Sequence, residues 1–143
     1  MEVAQLIAGR SPSDIITCDA NQPVREAVAV LASKRIGALP VMENGTVAGI
    51  FSERDVIYRM AEEGTACLDK LVGQVMTAPP ITVEKSTKVI AALSLMTKRR
   101  IRHLPVMDNG AFVGFLSIGD LVKSRIDEVE HEAKAMRDYI RTA

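Results

Sequence analysis

Two segments of the chain place an aspartate three residues after a serine, where a strand-like run gives way to a helical pattern. They are Gly49-Ile50-Phe51-Ser52-Glu53-Arg54-Asp55 and Gly114-Phe115-Leu116-Ser117-Ile118-Gly119-Asp120. Ser-x-x-Asp is a capping-box arrangement, and acids favour helix N-termini in any protein, so a purely structural role accounts for both. The same arrangement also suits a nucleoside phosphate. Unpaired N–H groups and the positive end of the helix dipole attract a phosphate. A carboxylate one turn away can accept from both hydroxyls of a ribose diol. The glycine three residues before each serine lets a ligand or another backbone come close. Such a site needs no catalytic residue.

A second cluster, Lys98-Arg99-Arg100-Ile101-Arg102-His103, runs into a strand-like segment. Runs of this kind are usually solvated, but strand alternation sends Arg102 and His103 to opposite faces, so one of them can point at a phosphate. A nucleic-acid patch is the third reading of the run. The histidines, His103 and His131, have no serine or cysteine partner in a triad context, and no HExxH, GxxxxGK[ST] or GxGxxG motif occurs. Cys18 and Cys67 lack CxxC or histidine spacing and read as buried or half-buried thiols of a reducing compartment.

Composition narrows the classes. The chain has 143 residues, 48% of them hydrophobic and 25% charged, with no formal net charge and a pI near 6.7. That is ordinary for a globular protein and argues against disorder. Zero net charge and an aromatic content of 3% count against nucleic acid or an anionic membrane as the main partner. With no long apolar run and no secretory pattern at the N-terminus, the expectation is a cytoplasmic protein, not an enzyme, and one without a metal.

The elements that position these residues occur twice. At an offset of 65, residues 16–56 align without a gap on 81–121. Identities include Ile16-Thr17 on Ile81-Thr82, Leu39-Pro40-Val41-Met42 on Leu104-Pro105-Val106-Met107, Asn44-Gly45 on Asn109-Gly110, and the Gly, Ser and Asp of the two segments above. Two copies are too few for a solenoid, so a pseudo-two-fold pair is expected. Each copy opens with a β-branched run, Ile15-Ile16-Thr17-Cys18 or Ile81-Thr82-Val83. Val24, Ala27, Val28 and Leu31, like Val89, Ala92, Leu93 and Met96, then mark one apolar helix face. Asn-Gly supplies the positive φ of a tight hairpin, and a second helix follows at Ser52 or Ser117. The order is β-α-β-β-α, twice: an α/β (α+β) chain. Residues 1–62 form repeat 1 with an N-terminal segment, 63–79 a linker with a short helix, 80–125 repeat 2, and 126–143 an extension of the last helix.

That extension carries Val122, Ile126, Val129, Ala133, Met136 and Ile140 at alternating spacings of four and three, a short heptad seam. It packs either on its own domain or on a second copy, and the second copy is the expectation, because a lone protruding apolar seam gains a neutral protein little.

Taken together, the duplicated order, the (R/H)LPV strand, the Asn-Gly hairpin and G-h-h-S-x-x-D resemble a tandem pair of cystathionine β-synthase (CBS) domains, also called a Bateman module, over roughly residues 10–125. The wider pattern is similar to small stand-alone bacterial signal-transduction proteins. The resemblance implies regulatory binding of adenosyl ligands (AMP, ADP, ATP, NAD(H) or S-adenosylmethionine) in clefts between the repeats, a homodimer, and an effector protein that reads the change. Carried over by position, it implies one site with Ser117 and Asp120, Arg102 and His103 near the phosphate, and Ile16, Thr17 and Cys18 beside the base. The other has Ser52 and Asp55, with Arg54 as phosphate donor and Ile81, Thr82 and Val83 at the base. The flanking strand residues Gly37, Ala38 and Leu39, and Leu104 and Pro105, complete the set. Because Gly37-Ala38 stand where Arg102-His103 stand in the second copy, AMP is expected at the Asp120 site. A dinucleotide such as NAD(H), or weak occupancy, is expected at the Asp55 site.

Overall fold

A computed structural model of the chain describes residues 1–142. A short helix α1 (Val3–Ile7) precedes β1 (Cys18–Asp19), α2 (Val24–Lys34), β2 (Ala38–Glu43), β3 (Thr46–Ser52) and α3 (Glu53–Glu63). After a 3-10 stretch at Gly64–Asp69 come α4 (Val72–Val75), β4 (Val83–Glu84), α5 (Val89–Arg99), β5 (His103–Asp108), β6 (Ala111–Ser117) and α6 (Ile118–Thr142). The duplicated β-α-β-β-α order read from the sequence is present.

Each repeat carries a three-stranded sheet, β1-β2-β3 or β4-β5-β6, with the first pair parallel and the second antiparallel. The hairpins close as Asn-Gly requires: φ is 51° and 79° at Asn44 and Gly45, and 50° and 86° at Asn109 and Gly110. The opening strands are shorter than the β-branched runs suggested. Cys18 pairs with Val41 and Val83 with Val106, so the ladder begins one residue after Pro40 and Pro105. Proline has no N–H to give, and Ile15–Thr17 and Ile81–Thr82 are left as extended chain outside the sheets.

Two cores result. Leu39, Val41 and Phe51 are fully buried in the first and Leu104, Val106 and Leu116 in the second. Helices α2 and α5 supply the expected faces through Val24, Ala27 and Leu31, and Val89, Ala92 and Met96. The segments that precede each repeat are exchanged. Val3 and Ile7 of α1 belong to the second core, whereas Val72 and Val75 of α4 belong to the first. Matching backbone bonds hold them: Val3 N donates to Thr87 O at 2.8 Å and Val72 N to Gln22 O at 2.8 Å. Likewise Val89 N donates to Met1 O at 2.9 Å and Val24 N to Lys70 O at 2.8 Å. The N-terminal segment expected with the first repeat therefore packs against the second.

Helices α2 and α5 both end on an arginine in the left-handed region, Arg35 at φ 53° and Arg100 at φ 54°. Glycine is the usual occupant of such a position. The chain keeps a cation there in both copies, and Arg100 O accepts a bond from Arg54 Nη1 at 3.1 Å.

Candidate functional site

Each Ser-x-x-Asp element forms the cap its spacing predicts, and each also borders a cavity. Asp55 Oδ2 accepts from Ser52 N at 2.8 Å and from Ser52 Oγ at 3.1 Å, and Ser52 Oγ accepts from Asp55 N at 3.4 Å. In the second copy the same three bonds measure 2.9, 3.1 and 3.2 Å between Ser117 and Asp120. The cap engages Oδ2 alone. The other oxygen has a separate partner: Thr77 Oγ1 donates to Asp55 Oδ1 at 2.8 Å, and Arg10 Nη2 donates to Asp120 Oδ1 at 3.2 Å.

The first cavity, about 350 Å3, joins the start of α3 to the second repeat and the linker. Ser52, Arg54, Asp55 and Tyr58 form one wall, Arg100, Ile101, Arg102 and His103 another, and Thr77, Pro79, Pro80 and Ile81 close it, with Gly37 beneath. Three arginines and one aspartate thus line the same cavity. Arg102 Nη2 bonds Glu53 Oε1 at 3.1 Å, which ties the second repeat to the first turn of α3. The second cavity, about 370 Å3, is its pseudo-symmetric counterpart at the start of α6. Ser117, Asp120 and Phe115 meet Ile36 and Ala38 of the first repeat, Ile16 before β1, and Arg10, Ser11 and Asp14 of the N-terminal segment.

His103 lines both cavities. Its ring stacks on Phe115 with centroids 5.5 Å apart and planes at 15°. Burial, reinforced by the Arg102 charge, holds the imidazole pKa below its ordinary value, against Glu53 and Asp120, which pull it up. Asp120 lies below the usual carboxylate range: burial raises it, but the Ser117 N–H and the Arg10 guanidinium outweigh that cost.

Of the residues singled out in the sequence, Gly37, Ser52, Arg54, Asp55, Ile81, Arg102 and His103 meet at the first cavity. Ile16, Ala38, His103, Ser117 and Asp120 meet at the second. Arg102 corrects the expectation that placed it beside Asp120. It sits just before β5, on the face turned towards α3, so alternation delivers it to the Asp55 cavity while His103 stands between the two. Thr17, Cys18, Leu39, Thr82, Val83, Leu104 and Pro105 line neither cavity. Leu39 and Leu104 are core, Cys18, Val83 and Pro105 are buried in strands, and Thr17 and Thr82 are exposed outside them. Sequence reasoning missed Arg10, Tyr58, Thr77 and Arg100. Only Arg100 carried a signal, as part of the basic run. The others come from the exchanged N-terminal segment, the linker and the second turn of α3, none of which the repeat aligns.

A family model for the CBS domain matches residues 11–62 and 72–127. The chain belongs to the CBS domain family. It is 36% identical over 128 residues to CBSX3, a mitochondrial CBS domain-containing protein of Arabidopsis thaliana, and that match covers 86% of this chain but 62% of the relative's length. Among solved structures, a protein with CBS domains from Burkholderia ambifaria MC40-6 superposes with a TM-score of 0.82 at 38% identity, covering 89% of this chain and 95% of the other. CBSX2 of Arabidopsis thaliana, solved in complex with AMP, superposes with a TM-score of 0.74 at 25% identity, covering 88% and 96%. The two-repeat CBS architecture is thereby established.

Proposed function

We propose that this chain is a regulatory module that binds adenosine nucleotides in its two inter-repeat cavities and signals through the relative placement of the repeats. The observation that carries this reading is the Asp55 cavity, where an aspartate at a helix N-terminus shares a space of about 350 Å3 with Arg54, Arg100 and Arg102. The carboxylate suits a ribose diol, the arginines suit phosphate, and Ile81, Pro79 and Tyr58 offer apolar surface for a base. The CBSX2 complex with AMP supports the ligand class.

The placement of Arg102 reverses the expected allocation. The phosphate-bearing ligand, AMP, ADP or ATP, belongs at Asp55, where the cations gather. The Asp120 cavity is lined by one arginine, Arg10, against three at Asp55, and this smaller number of cations favours a less charged adenosyl ligand or weaker occupancy. The role is regulatory rather than catalytic: the Ser52 and Ser117 hydroxyls bond aspartates, not an imidazole. The cavity draws residues from both repeats, so a ligand that fits one relative placement better shifts the population towards it, and an effector protein reads that shift. The exposed seam on α6 supports a homodimer as the working unit. No helix among the described residues is long and apolar enough to cross a membrane.

Calorimetric titration of AMP, ATP and NAD into wild type, Asp55→Asn and Asp120→Asn tests this. Loss of at least a factor of 10 in AMP affinity on Asp55→Asn, with Asp120→Asn near wild type, is the expected result. Loss only on Asp120→Asn would restore the opposite allocation. No binding of any adenosine ligand would end the nucleotide reading.

A further inference from the structure

We propose that residues 122–140 of α6 form a parallel, in-register, two-stranded coiled coil with the same helix of a second copy. This rests on the homodimer reading and specifies its contact. The body of the protein uses a different face of α6: Leu121 and Ser124 are buried, whereas every residue from Val129 to Thr142 is exposed. A free helical end of that length is marginal in water without a partner. The seam beside the buried face is open along its length, with Val122 at 41%, Ile126 at 51%, Val129 at 46%, Met136 at 60% and Ile140 at 67% exposure.

The heptad assigns Ile126, Ala133 and Ile140 to a and Val122, Val129 and Met136 to d. The flanking charges choose the orientation. In a parallel pair each g residue lies beside the e residue five positions on in the partner. Arg125 then meets Glu130 of the second copy, and Glu132 meets Arg137. An antiparallel pair overlapping the whole seam would instead set Glu130 against Glu130, Glu132 against Glu132 and Lys123 against Arg137, all of like sign. A lipid surface fits poorly, because Lys123, Arg125, Lys134, Arg137 and Arg141 are balanced by Asp127, Glu128, Glu130, Glu132 and Asp138.

The test uses the full chain with light scattering across a concentration series and Ile140→Cys under mild oxidation. Cys18 and Cys67 are buried, so the new thiol is the accessible one. The expected results are a particle of twice 15.5 kDa, a disulfide between the two introduced cysteines, and loss of that cross-link when Met136→Asp is added. Glu132→Arg alone should raise the dimer dissociation constant at least fivefold, and adding Arg137→Glu should bring it back. A dimer that gives no cross-link at position 140 overturns the coiled coil and leaves the homodimer standing. A monomer at every concentration overturns both. The substitutions fall at exposed positions outside both cores, so the fold of the body is untouched by them.

Discussion

His103 and Asp120 contribute to opposite ends of the acid limb of stability. The folded chain holds the His103 ring neutral below its ordinary pKa, so the unfolded chain takes up a proton first as pH falls through about 6.5. Stability is therefore lost from there down to the folded value and no further. Asp120 acts lower: its carboxyl is depressed in the folded state, so its contribution is complete above about 4 and disappears as pH drops through the folded value. Urea unfolding from pH 3 to 8 should show that His103→Phe flattens the upper part of this limb and Arg10→Gln the lower part. An unchanged slope near pH 6 in His103→Phe would contradict the first assignment. The thiols give a simpler check. Burial, with the Asp19 charge beside it, pushes Cys18 up to about 11, and Cys67 is fully buried. Neither should react with maleimide at pH 8 until the chain is unfolded, and rapid labelling of the native protein would refute this.

At the scale of elements, the two halves are alike in order but unequal in tolerance. A Cβ on Gly49 would stand 2.7 Å from both Met76 Sδ and Thr77 O, whereas one on Gly114 would meet Ile7 Cγ2 at 3.0 Å. The Thr77 carbonyl belongs to backbone that bonds Ile50 and cannot retreat, while the Ile7 side chain can turn. Gly49→Ala should therefore cost roughly 1–3 kcal/mol and Gly114→Ala clearly less in denaturant titration. Equal losses would refute the comparison. Val3→Ala should destabilise by about 1–3 kcal/mol, although it lies outside both aligned repeats, because Val3 is fully buried in the second core. The repeat, the hairpins and the helix faces were legible because Asn-Gly turns and apolar spacing are local signals. What was not legible depended on distance along the chain. Nothing in Val3–Ile7 announces which core it enters, and the two prolines that cut the opening strands short act across the sheet. The resemblance put Arg102 and His103 together beside Asp120, whereas alternation parts the two neighbours without saying which cavity each one finds.

For the whole molecule, the exchange of α1 and α4 has a mechanical consequence. Gly64, Thr65 and Ala66 are exposed and join the halves. A protease cut there would yield two pieces, each missing a helix from its own core and holding the helix that completes the other's. The pieces would remain clasped after the nick, like two hands each gripping the other's wrist. Limited digestion followed by native chromatography should recover them as one particle, and early separation of the fragments would disprove the clasp. Each fragment, at this size and with its core open on one side, would be marginal alone. Letting go should unfold both at once, so the duplicated chain behaves as a single cooperative unit rather than as two beads on a string.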